Sequence, residues 1–93
     1  MVYFALVNGG FIKVGYTAKP IEKRLAELEL GRTAYQGARL LATAPGGRRT
    51  ERRWHRRFDA HRVNPDRHNG PQEMYAPSAG VLEAIRKLQT TQR

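Results

Sequence analysis

Val2 to Thr17 reads VYFALVNGGFIKVGYT, and the fold turns on how this stretch is paired. Two runs rich in aromatic and branched residues flank Asn8-Gly9-Gly10, a tripeptide that supplies positive φ at little steric cost, so a β-hairpin is expected. A slip of one residue would send every side chain to the opposite face. With a three-residue loop, Val7 faces Phe11, Ala5 faces Lys13 and Tyr3 faces Gly15, and Tyr3 and Lys13 share a face. With a two-residue loop, Tyr3 sits across from Tyr16 and Lys13 moves to the other side. The three-residue loop is the register adopted. Gly15 interrupts the second strand where a side chain would add packing, the mark of a bulge or of a close backbone approach. Lys13, inside FIKVGY, reads as an outward lysine on a half-exposed strand, since lysine is rarely buried.

The whole chain has 93 residues, enough for one domain with one modest core. A single domain over 1–93 is expected, with 90–93 frayed. Seventeen Lys and Arg against eight Asp and Glu give a net charge of +9. That excess points first to a polyanion, most often nucleic acid, and second to an anionic membrane surface. No run approaches the ~20 apolar residues that cross a bilayer, and the start lacks the pattern of a signal peptide, so a cytoplasmic protein is expected. With no cysteine, disulfides, thiol catalysis and thiolate zinc sites are excluded together.

Beyond the hairpin, Pro20 opens a helix with Ile21, Leu25 and Leu28 on its apolar stripe and Gly31 at its end. At about 100° per residue Arg24 falls roughly 60° from the centre of that stripe, at the border between core and solvent. A snorkelling arginine covering the core rim is the plain reading of it. Ala38 to Ala44 is short and apolar and stops at Pro45-Gly46-Gly47, as a buried third strand would. Residues 62–77 are rich in Pro, Asn and Gly and read as a long loop with a short extended piece at Met74-Tyr75. Ser78 then caps a last helix whose buried stripe is Val81, Leu82, Ile85 and Leu88.

Gly46 to His61, GGRRTERRWHRRFDAH, is the second informative stretch. Read as a helix capped by Thr50, it sorts into sectors. Arg48, Arg49, Arg52, Arg53, Arg56 and Arg57 occupy one half, and Trp54, Phe58 and His61 centre on the other. The arginines repel one another unless an anion is present, and their potential suits phosphate oxygens, with salt-dependent binding from counterion release. Glu51 and His55 lie one turn apart on the boundary between the halves. Glu51 either neutralises its basic neighbours or holds one hard divalent cation, since Mg²⁺ uses one or two carboxylates together with waters and phosphate oxygens. His55 reads either as a ring packed at the rim or as a phosphate donor or proton carrier.

The ordered set KVGYT, KRLAEL and ERRWHRRF resembles the GIY-YIG nuclease superfamily, in its branch of small phage and bacterial proteins with KIGYT-like and ExxxH segments. The resemblance runs from Val2 to about Tyr75. Met1-Val2-Tyr3 stands at the first name tripeptide and keeps its tyrosine. Lys13-Val14-Gly15 stands at the second and keeps its glycine, with lysine in place of tyrosine. The resemblance implies that Tyr3 helps to activate an attacking water, that Lys13 and Tyr16 orient water or phosphate, and that Arg24 stabilises charge on the scissile phosphate. It further implies that Glu51 ligates a single Mg²⁺ or Mn²⁺, that His55 matches a histidine common in the branch, and that Asn64 is the nearest match to a downstream asparagine.

The expectation is therefore an α/β (α+β) domain, a small sheet of about three strands flanked by helices. It would act as a metal-dependent endonuclease hydrolysing DNA phosphodiester bonds with low intrinsic sequence specificity. Specificity would come from a homodimer or from a DNA-binding partner protein. The choice of DNA over RNA rests on the resemblance. The rival is a nucleic-acid-binding module of the same fold that does not cleave.

Overall fold

β1 (Val2–Val7) and β2 (Phe11–Tyr16) pair antiparallel with Val7 opposite Phe11, Ala5 opposite Lys13 and Tyr3 opposite Gly15. This is the three-residue-loop register. Gly10 N–H donates to Val7 C=O at 3.0 Å with φ at +83°, a left-handed conformation that glycine adopts without a Cβ penalty. The structure is a computed structural model that describes residues 1–7, 10–30, 37–63 and 74–91.

β3 (Arg39–Ala44) pairs antiparallel with the other edge of β1, with a register shift between Phe4 and Ala5. β4 (Met74–Tyr75) pairs antiparallel with β2, Tyr75 opposite Ile12 and Met74 opposite Lys13. The sheet thus has four strands in the order β3-β1-β2-β4. The extended piece at Met74-Tyr75 supplies the strand beyond the three expected. Two residues flanked by a polar loop have too little periodicity to be read as a strand until pairing shows it.

Alternation along β1 and β2 sends side chains to two buried faces. On one, Val2, Phe4, Ile12 and Val14 join Phe58, Tyr75, Val81, Ala84 and Ile85, with Trp54 and Leu88 packed against them. Helices α2 (Arg48–Arg57) and α3 (Ala79–Thr91) cover this face. On the other, Tyr3, Ala5, Val7 and Met74 meet Leu28, with Ile21 and Leu25 alongside. Helix α1 (Ile21–Leu30) covers this second face with the stripe its spacing predicts. Full burial of a side chain the size of Phe4 stabilises by ~1.5–3 kcal/mol.

Three local expectations are corrected. Helix α2 begins at Arg48 with Gly47 at the N-cap, so Thr50 lies inside the first turn, where its side chain fills the space beside Gly46 that a Cβ there would need. The helix ends at Arg57, and a 3₁₀ turn over Asp59–His61 follows, so Phe58 and His61 are not on one continuous helix. In α3, Ala84 is buried and Leu82 is exposed; a small residue brings that helix close to the sheet, and the bulkier leucine turns to solvent. Residues 90 and 91 close α3, and residues 92–93, expected with them to fray, lie outside the described residues. Ser78 precedes α3 as expected, its C=O accepting from Leu82 N–H at 2.9 Å, while its hydroxyl pairs with His61 Nδ1 at 2.9 Å. Among the described residues no helix is long and apolar enough to cross a membrane.

Candidate active-site cleft

Tyr3 is wholly buried, yet its hydroxyl reaches a polar cleft because Gly15 lies opposite it. A Cβ built at Gly15 would stand 2.5 Å from Tyr3 Cζ and closer still to Oη. Only a residue without a side chain lets the phenol lie across β2. This is the close approach that the interrupted strand foretells.

The cleft holds about 170 Å³ and is lined by Tyr3, Lys13, Gly15, Tyr16, Arg24, Arg48 and Glu51. It draws on both faces of the sheet. Tyr3 and Lys13 come from the face under α1, Tyr16 from the other, and Arg48 and Glu51 from the first turn of α2, three residues apart and so on one side of that helix. A second cleft of about 300 Å³ shares Tyr16, Arg24 and Arg48 and continues past Thr17, Lys19 and Glu27.

Lys13 is 1% exposed, not the outward lysine expected from its type. The three-residue loop puts it on the same face as Tyr3, and its ammonium lies 5.5 Å from the centre of the Tyr3 ring. A cation against the negative face of an aromatic ring is attracted by the quadrupole.

Arg24 leaves α1 at the border of the apolar stripe and donates from Nε to Tyr3 Oη at 3.3 Å. That hydrogen bond is the main influence raising the Arg24 pKa above its ordinary value. Partial burial opposes the rise, and Glu27, with Oε1 3.6 Å from Arg24 Nη1, adds to it. The guanidinium is a fixed positive charge at the mouth of the cleft. Arg48 lies over the Tyr16 ring, 5.7 Å from its centre.

Glu51 is half-buried, and its Oε2 lies 3.8 Å from His55 Nε2 one turn on. His55 is not among the residues lining the cleft; it stands behind Glu51, and its Nδ1 is hydrogen-bonded to Tyr75 Oη. Among the described residues no three His, Asp or Glu side chains cluster to enclose an ion. Glu51 offers a single carboxylate beside Lys13, Arg24 and Arg48, so a hard divalent cation here would need waters and phosphate oxygens to complete its shell.

Of the arginines of α2, Arg48 alone lines the cleft. Arg49, Arg52, Arg53, Arg56 and Arg57 are exposed beside it, Arg57 lying 4.9 Å over the Trp54 ring. Cations in the last turn complement the helix dipole, whereas Arg48 and Arg49 sit at its positive end, where an anion would compensate them. Asn64 lies outside the described residues. The sequence reading missed Glu27 and Tyr75. Glu27 is signalled only by standing three residues after Arg24. Tyr75 has no local signal, because its place beside His55 comes from β4 pairing.

Fold and cleft together define a small α+β domain that gathers arginine, lysine, tyrosine and one carboxylate at the end of a β-hairpin. The model of the T5orf172 domain matches residues 1–89 of this chain. The chain belongs to that family. No curated protein and no solved structure matches it.

Proposed function

We propose that this domain is a metal-dependent endonuclease of the GIY-YIG type, hydrolysing phosphodiester bonds in DNA with low intrinsic sequence specificity. The observation that carries the reading is the cleft itself. Residues far apart in sequence, Tyr3, Lys13, Tyr16, Arg24 and Glu51, line one polar space of about 170 Å³, a size suited to a phosphate group and the water that attacks it.

Each residue has a part in that chemistry. Arg24 and Lys13 bring positive charge to the equatorial phosphate oxygens, where negative charge grows in the transition state. Tyr3 Oη, fixed by the Arg24 hydrogen bond, orients the water and serves as the base for the proton released as the new P–O bond forms. The bond from phosphorus to the leaving sugar oxygen breaks in the same displacement. Tyr16, held under Arg48, borders the phosphate. Glu51 would hold one Mg²⁺ or Mn²⁺, which when bound polarises a phosphoryl oxygen and stabilises the leaving alkoxide. The exposed arginines of α2 bind flanking phosphates without reading bases, which accounts for low specificity; a DNA-binding partner protein or a second copy would add it.

Supercoiled plasmid incubated with Mg²⁺ or Mn²⁺ tests the reading by comparing the wild type with Glu51→Ala. Nicking or linearisation by the wild type, lost in the variant while gel retardation persists, is the expected result. Retardation without cleavage by either protein would replace it with a binding module of the same fold, a reading favoured by Lys13 standing where a second tyrosine would be.

A further inference from the structure

The tyrosine at the end of β4 takes no part in the chemistry above, yet it touches the residue behind Glu51. We infer that Tyr75 is a positioning residue, whose hydroxyl fixes the His55 ring so that Nε2 turns its hydrogen toward Glu51 at the cleft. The inference rests on the reading of Glu51 as the metal-holding carboxylate.

The geometry forms a chain. Tyr75 is completely buried and paired with Ile12 in the sheet. Its ring is held between Phe58, 5.7 Å away at 69°, and the Arg62 guanidinium, 5.3 Å from its centre. It cannot swing to follow a mobile partner. Its hydroxyl meets His55 Nδ1, and the two rings lie 5.6 Å apart at 31°. On the far side of the imidazole, Nε2 faces Glu51 Oε2 at 3.8 Å. At 3.8 Å this is a charge contact longer than a hydrogen bond; an ionised carboxylate only accepts, so the tautomer it favours carries the proton on the nitrogen that faces it. In the neutral ring Nδ1 is then the acceptor, and the Tyr75 hydroxyl donates to it. The bond made by one ring nitrogen sets which proton the other carries.

A buried tyrosine needs a hydrogen-bond partner whatever its function. What sets this one apart is the identity of the partner, a histidine whose other nitrogen faces Glu51, the one carboxylate among the described residues that line the cleft. Groups bonded directly to a metal ligand typically alter metal affinity or activity by ~10–100-fold when removed; Tyr75 acts one residue further back, through His55, so its effect belongs at or below the low end of that range.

The test uses Tyr75→Phe, which keeps the ring and deletes the hydroxyl, with Val7→Ala, in the core on the other face of the sheet, as a packing control. Imidazole ¹⁵N shifts at one neutral pH read the His55 tautomer, and free Mn²⁺ measured by electron paramagnetic resonance reads ion affinity without cleavage. In the wild type, His55 should show protonated Nε2 and unprotonated Nδ1. Tyr75→Phe should mix the two tautomers and weaken Mn²⁺ binding by up to ~10-fold, whereas Val7→Ala lowers the melting temperature and leaves both readouts unchanged. Unchanged nitrogen shifts in Tyr75→Phe overturn the inference, and so does a tautomer change with unaltered Mn²⁺ affinity. A wild type that binds no Mn²⁺ removes the metal reading of Glu51, and the link from Tyr75 to it falls with that reading; the nitrogen shifts then show separately whether the hydroxyl sets the tautomer.

Discussion

Tyr3 and Phe4 are neighbours in β1 and both fully buried, but they serve opposite faces of the sheet. Phe4 meets Trp54 edge-on at 5.0 Å and Phe58 at 6.3 Å, in a cluster of aromatic and aliphatic side chains beneath α2 and α3. Tyr3 shares its face with Leu28 of α1, yet at the cleft its hydroxyl accepts from Arg24 and its ring lies against the Lys13 ammonium. One face is closed by packing, and the other is left polar at one end. The difference teaches that the fold is held chiefly from the α2–α3 side. The α1 side can therefore carry buried charge, including Lys13, whose burial an apolar cluster alone would not repay.

The hardest test of this division is Phe4→Ala. Loss of a wholly buried phenylalanine from the aromatic cluster should destabilise the protein by ~3–5 kcal/mol, read from urea unfolding. The fraction still folded should keep its cleft and its affinity for DNA. A loss under ~1 kcal/mol would mean that the α1 side holds the fold.

Arg24→Ala probes the other face, and its effect should appear in chemistry. Removing a preorganised donor to a developing phosphate charge typically costs ~10²–10³ in rate, so plasmid cleavage should fall by about that factor. The melting temperature should move little, because the side chain is 35% exposed and off the apolar stripe. DNA retardation should persist through α2. Unaltered turnover would remove Arg24 from the site and return it to the plain role of a rim arginine.

Much of this division is legible in the sequence, because it depends on alternation. The Asn8-Gly9-Gly10 turn and the run of apolar residues specify the register, and the register alone brings Tyr3, Lys13 and Gly15 together. Helical spacing likewise pairs Glu51 with His55 and lifts Arg24 to the border of its stripe. What could not be read depends on contacts between distant segments. Lysine type argued for exposure at position 13, but tertiary placement beside the Tyr3 ring prevailed. Leucine type argued for burial at position 82, but the close approach of α3 to β3 favoured Ala84. Met74-Tyr75 reads as a short extended piece, but the contact of Tyr75 with His55 comes only from the pairing of β4 with β2.

The smallest expected effect concerns Glu27, and it sharpens the comparison because the pair it forms lies on the polar side. Lys19 Nζ donates to its Oε2 at 2.6 Å, and this bond is the main cause holding the Glu27 carboxyl below its ordinary range, with Arg24 contributing. A carboxylate of depressed pKa stabilises the folded state fully above its unfolded value of ~4.3, and that contribution disappears as the pH falls through the lower folded value. Both side chains are solvated, at 56% and 39% exposure, so screening keeps the contribution small. At low salt the wild type should melt slightly above Glu27→Gln at neutral pH, and the gap should close in acid below ~4. Cleavage at neutral pH separates two roles for the same carboxylate. If Glu27 also steadies Arg24, the variant should turn over several-fold more slowly even though the Tyr3 hydrogen bond remains. Equal turnover with the same closing gap would make Glu27 only a brace between Lys19 and α1, leaving Tyr3 alone to orient the guanidinium.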